Sequence, residues 1–160
     1  MFKLLNKNFD KIGVKKFKYL GPIVTFLTDV MIVKYINDTL LPRMLKDSSF
    51  SLALKLQNPG SRLAPADIDL YRNALQSTMG AVFWYMLLYH FIVYCCAAKG
   101  MRWGKKYIRF YTGSAALLTG IEIILTFNSY SYVNTTVIAS GLTYGLVYLG
   151  YRHFMKTEEL

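Results

Sequence analysis

The chain has 160 residues, 54% of them hydrophobic and 16% aromatic, and carries a formal net charge of +10. That length suits one domain, and the apolar share, with a mean hydropathy of +0.27, argues against an ordinary soluble one. The charge lies mostly in two clusters beside apolar runs, a pattern that speaks for membrane topology and anionic lipid rather than nucleic acid.

Residues 1–18 read as a basic amphipathic helix. Phe2, Leu5, Phe9 and Ile12 recur at three- and four-residue steps among Lys3, Lys7, Lys11, Lys15, Lys16 and Lys18. Such a helix suits a membrane surface. It also has the look of a mitochondrial targeting segment, although it is poor in Arg and Ser and Asp10 interrupts it; the uninterrupted apolar core of a cleavable secretory signal is missing.

Residues 19–41 form the first expected span. Pro22 falls in its first turn, where a missing N–H is harmless, Asp29 sits near its centre, and Lys34 lies further along. Residues 42–74 form the outer connection. Phe50, Leu52, Leu54 and Leu56 alternate with period two ahead of Asn58-Pro59-Gly60, which fits a short strand or an interfacial segment. A helix should start at about residue 65, with Pro65 first and Asp67 and Asp69 near its positive end, and continue unbroken into the next span.

Residues 75–98 are the clearest span, because they contain no Asp, Glu, Lys or Arg. At ~1.5 Å per residue they exceed a hydrocarbon core of ~30 Å. They hold His90 and the adjacent Cys95 and Cys96, which read as small buried apolar fillers. Residues 99–106 make an inner basic loop, 107–127 a third span containing Glu122, 132–151 a fourth, and 152–160 a polar tail. The expected fold is an all-α integral membrane protein with four transmembrane helices and a basic amphipathic N-terminal helix.

Lys and Arg concentrate in residues 1–18, in the 99–106 loop and, as Arg152 and Lys156, in the tail. Both termini and that loop are therefore expected on the cytoplasmic or matrix side. Aromatic belts agree, with Tyr19, Trp103, Tyr107 and Tyr151 at the inner boundary and Tyr35, Tyr130 and Tyr132 at the outer one.

Asp29, Lys34, His90 and Glu122 fall inside spans, where an ionisable group facing lipid costs about 3 kcal/mol or more. Counting helical rise puts Asp29 roughly 13 Å and His90 roughly 12 Å from the inner side. The same count puts Lys34 roughly 21 Å and Glu122 roughly 18 to 22 Å deep. Two stacked pairs follow, Asp29 with His90 and Lys34 with Glu122. They serve either as structural pins of helix register or as an ion relay, for which imidazole is apt. Ala115, Thr119, Glu122 and Thr126 share a small polar stripe. Gly113, Ala116 and Gly120 on the third span, and Gly141 and Gly145 on the fourth, offer close-packing faces. Lys15, Lys16, Lys18, Arg102, Lys105, Lys106 and Arg109 lie on one side and fit an anionic phospholipid such as cardiolipin.

Two Cys and two His are too few for a structural zinc site, and no nucleophile or cofactor signature is present. No catalytic residue, metal or cofactor is expected. The reading that follows is a non-catalytic accessory subunit, partnered by other membrane subunits. The host would be a larger complex, such as an energy-converting (respiratory or ATP synthase, electron-transport) complex of an inner membrane, mitochondrial rather than bacterial. The alternative is a small homo-oligomeric proton- or ion-coupled transporter or channel using Asp29, His90, Lys34 and Glu122.

Overall fold

A computed structural model describes residues 2–46, 48–57, 64–128 and 135–156. Nearly all of them are helical: α1 Phe2–Ile12, α2 Val14–Tyr35, a π-helical turn Ile36–Leu40, α3 Leu41–Lys46, α4 Ser48–Gln57, α5 Pro65–Ala98, α6 Arg102–Asn128 and α7 Thr135–Lys156. Among the described residues, three helical stretches are long and apolar enough to cross a membrane: Val14–Lys46, Pro65–Ala98 and Arg102–Leu125. Helix α7 is diluted by Ser140, Thr143 and Tyr144 and by Gly141, Gly145 and Gly150, and it stands outside that set. The chain divides into two compact units, Met1–Ile32 with Leu87–Leu160, and Val33–Met86.

In the first unit, the middle of α2 inverts the burial pattern of a soluble helix. On α2, Gly21, Thr25, Thr28 and Asp29 are buried while Ile23, Leu27 and Met31 are exposed. The Thr25 and Thr28 hydroxyls each donate to a carbonyl one turn back, Gly21 and Val24, at 2.8 Å. Both therefore enter the interior with their polarity satisfied on their own helix. An apolar exterior over such an interior is compatible with membrane integration. On α5, Leu87, His90, Val93, Tyr94 and Ala97 are buried, one helical face at three- and four-residue steps.

Helix α5 ends in a turn in which the amides of Lys99, Gly100 and Met101 donate back to the carbonyls of Cys95, Ala97 and Cys96. Gly100 has φ 96°, the left-handed conformation that glycine tolerates at a helix end. Helix α6 then returns against α5 at Gly104, where an added Cβ would stand 2.9 Å from the Ala97 nitrogen. Backbone meets backbone there.

The apolar core gathers Phe9, Phe17, Val93, Tyr94, Ala97, Ile108, Val147, Tyr151 and Phe154. Phe17 packs edge-on to Tyr151 at 5.2 Å and lies 5.1 Å from Phe154. A Cβ at Gly150 would sit 2.3 Å from the Phe17 ring, so this crossing too requires glycine.

These contacts revise several sequence expectations. The apolar face of α1, assigned to lipid, is partly used on the protein itself: Phe9 is buried against Phe17 and Phe154, and Asp10 lies 2.8 Å from His153 Nε2. Tyr151, placed in the inner aromatic belt, is only 1% exposed, because its ring fills the core beside Phe17. Tyr19 and Trp103 are exposed; Tyr130 and Tyr132 lie outside the described residues. Cys95 is exposed and Cys96 half-buried, so Cys95 is no interior filler. Its helix turns it toward an apolar groove lined by Tyr19, Ile23 and Phe91.

In the second unit, the segment read as a strand or interfacial stretch is helix α4. Its residues, Phe50 to Gln57, contain no β-branched side chain, and Leu, Ala, Lys and Gln all favour helix. Period-two alternation loses to that propensity. Helix α5 begins at Pro65, and Asp67 accepts the Ala64 N–H at 2.9 Å, satisfying one orphan donor of the first turn. The Arg72 Nε–H donates to the Leu45 carbonyl at 2.8 Å, and its guanidinium pairs with Asp69. That interaction joins α3 to α5.

Candidate functional site

The most concentrated polar chemistry surrounds Asp29, which is 2% exposed. Its Oδ2 accepts from His90 Nδ1 at 2.9 Å and from the Tyr94 hydroxyl at 2.6 Å. Its Oδ1 accepts from the Tyr111 hydroxyl at 2.9 Å and the Tyr144 hydroxyl at 2.6 Å. An ionised carboxylate offers about four acceptor positions, and here each oxygen takes two donors. The hub is full.

Helix periodicity builds this arrangement. His90 and Tyr94 are four residues apart on α5, and so are Tyr107 and Tyr111 on α6, which puts each pair on one face. Helix α2 supplies the acid and α7 supplies Tyr144, so one side chain ties four helices together. The His90 ring meets the Tyr111 ring edge-on with centroids 4.5 Å apart.

The tautomer of His90 with its proton on Nδ1 donates to Asp29 Oδ2 across the 2.9 Å contact. Its other nitrogen, Nε2, lies 3.0 Å from the Tyr107 hydroxyl and, in that neutral tautomer, accepts a hydrogen bond from the phenol O–H. Asp29, His90 and Tyr107 thus form a carboxylate–imidazole–phenol chain, with Tyr107 half-buried at its end. Such a chain orients imidazole and can shift a proton between ring and phenol. Among the described residues, no three His, Cys, Asp or Glu side chains cluster to hold a metal ion.

Asp29 and His90, level with each other by helical rise alone, are in direct contact. Lys34 belongs to the second unit and Glu122 to the first, and their pairing stays an expectation; both side chains are exposed. Thr119 donates to the carbonyls of its own helix at Ala115 and Ala116, and the Thr126 side chain lies outside the described set. Of the small-residue faces, Gly113 meets the Tyr148 ring and Gly141 meets Thr119, at 3.0 and 2.6 Å from an added Cβ. Ala116 is half-buried. Gly120 and Gly145 face open space, so the close helix approach assigned to them belongs instead to Gly104 and Gly150.

Of the lipid-contact cations, Lys15, Lys16, Arg102 and Lys106 are exposed and Arg109 is half-buried. Lys105 is buried, and its ammonium, like that of Lys18, reaches toward the Gly100 turn.

The tyrosines of the hub escape a reading that looks only for charge. Tyr107 passes for a belt residue, and Tyr94, Tyr111 and Tyr144 pass for apolar filling. The available signal was the four-residue spacing of His90 with Tyr94, on a span where His90 already needed partners.

Comparison with known proteins finds no family model, no curated protein and no solved structure that this chain matches.

Proposed function

We propose that the chain is a non-catalytic structural subunit of a larger membrane protein complex, held in register by the Asp29 hub. The observation that supports this is closure. All four acceptor positions of the buried carboxylate are taken by donors from the same chain. A carboxylate that loads and releases an ion in each cycle needs a position left open, whereas a satisfied network rigidifies and specifies a single packing.

In this reading α7 is the fourth span. Its 22 residues reach about 33 Å at the helical rise, and its Tyr144 shares the carboxylate with helices apolar enough to cross. Both termini and the basic turn after α5 face the cytoplasm or matrix, because Lys and Arg concentrate there. The exposed apolar faces of Trp84, Tyr85, Leu88 and Ile92 on α5 are available to neighbouring subunits or lipid tails. An energy-converting complex of a mitochondrial inner membrane is the setting that the basic N-terminal helix favours.

The His90 Nε2 contact with Tyr107 favours a second reading, a homo-oligomeric proton-coupled transporter, since it carries the chain of exchangeable protons beyond Asp29. Mild-detergent extraction from the native membrane separates the two. The expected particle holds several different partner chains in fixed stoichiometry. A homo-oligomer that acidifies liposomes, with flux lost in Asp29→Asn, would replace the subunit reading with the transporter.

A further inference from the structure

A groove of about 760 Å³ runs along the outer face of α6 and α7. Its walls come from α6 residues at three- and four-residue steps, Lys106, Arg109, Gly113, Ala116 and Leu117, and from Tyr148 on α7. From Lys106 to Leu117 the α6 side extends about 16 Å at the helical rise. The two cations stand together at the end nearest the basic turn, and the remainder of the wall is apolar or small. Neither Lys106 nor Arg109 forms an ion pair among the described residues. The missing side chain of Gly113 lets the Tyr148 ring close to 3.0 Å of where a Cβ would be, so the two line one stretch of wall.

We propose that this groove is a binding site for an anionic phospholipid. The headgroup phosphate sits between Lys106 and Arg109, and an acyl chain lies along Gly113, Ala116 and Leu117. Charge complementarity selects this occupant. A passing transmembrane helix would have to bring a carboxylate to the same level to satisfy the two cations, whereas a phospholipid has its anion at one end and hydrocarbon beyond it. Guanidinium supplies a bidentate fork for phosphate and ammonium a mobile point charge. The groove's size falls within the ~300–1,000 Å³ usual for ligand sites. The proposal rests on the membrane-spanning reading. Alkaline carbonate extraction tests that premise separately: a chain released as soluble protein removes the premise, while one that stays in the membrane but lacks lipid preference removes only this site.

The test is native mass spectrometry of the full chain in detergent, titrated with phosphatidylglycerol and with phosphatidylcholine of the same acyl chains. The wild type should retain phosphatidylglycerol preferentially. Lys106→Gln with Arg109→Gln should weaken phosphatidylglycerol about 30-fold, roughly a factor of five for each charge, and leave phosphatidylcholine unchanged. Arg43→Gln with Lys46→Gln removes the same charge from exposed positions outside the groove and should leave the preference intact. Leu117→Trp, at a residue 70% exposed, should fill the trough and weaken phosphatidylglycerol with both cations present. Equal retention of the two lipids would overturn the site, as would equal losses in the two charge-removing pairs. Displacement by inorganic phosphate alone would reduce it to a simple anion site, and a dimer dispersed by Leu117→Trp would assign the groove to a second copy of the chain.

Discussion

Two of the polar ties that join helices in this protein differ in almost everything but their purpose. In the first unit, Asp29 gathers His90, Tyr94, Tyr111 and Tyr144 and is 2% exposed. In the second, Arg72 joins the Leu45 carbonyl and pairs with Asp69, whose side chain is 63% exposed. Water can replace Asp69 at little cost, whereas nothing replaces Asp29. An exposed pair is screened and contributes up to about 1 kcal/mol, while bonds to a buried charge are stronger and their loss strands every donor. The contrast teaches that burial and partner count, more than the presence of a charged residue, decide which polar contact holds the fold.

The largest effect should come from Asp29→Leu. It leaves the His90 N–H and three tyrosine hydroxyls buried without their acceptor, and the expected loss is about 3–5 kcal/mol, the range for breaking a buried charge network. Thermal melting of the purified chain in detergent micelles reads it directly. A melting curve matching the wild type would remove the hub from any account of stability.

Tyr144→Phe comes next, since it deletes one donor and keeps the ring. A hydrogen bond to a charged group contributes about 1.5–3 kcal/mol, and the other three donors remain. Neutral interhelical bonds in membrane proteins average only about 0.6 kcal/mol. A Tyr144→Phe loss at that lower figure would mean that the carboxylate does not strengthen its partners, and the contrast between the ties would shrink to burial alone.

How much of this was readable beforehand follows from the physics of each feature. The 75–98 run contains no charge at all, so its helical, apolar nature is plain from composition. Asp29 and His90 come level by arithmetic, because axial rise per residue is constant. Rotation about the helix axis is another matter. A helix apolar on every side has no stripe to say which face turns inward, so Tyr111 and Tyr144 could not be aimed at Asp29 from their positions alone. The same ambiguity misplaced the glycines. The Gly141 and Gly145 pair matches a packing motif, yet Gly145 faces open space while Gly104 and Gly150, on no face singled out for packing, make the tight crossings. A motif records that a patch is small and leaves open what lies across from it. Residues 50–57 failed for a different reason, since period-two leucines masked a composition that favours helix.

Arg72→Ala probes the weaker tie. The expected loss is below about 1 kcal/mol, with α3 and α5 retaining their helical content by circular dichroism. A loss equal to that of Tyr144→Phe would erase the distinction between exposed and buried ties and give the Leu45 carbonyl a larger share than solvent screening allows.

Ser140→Ala tests the same logic from its opposite limit. Ser140 is 2% exposed, one turn before Tyr144 on α7, and its hydroxyl has no hydrogen-bond partner among the described residues. A buried hydroxyl without a partner costs about 1–3 kcal/mol in desolvation, so replacing it with a methyl group should leave stability unchanged or raise it slightly. If burial alone made polar groups valuable, Ser140→Ala would destabilise as Tyr144→Phe does. If satisfied bonding is what counts, the two variants part in sign although they sit on the same helix, and the melting temperature of Ser140→Ala, at or above that of the wild type, distinguishes the two.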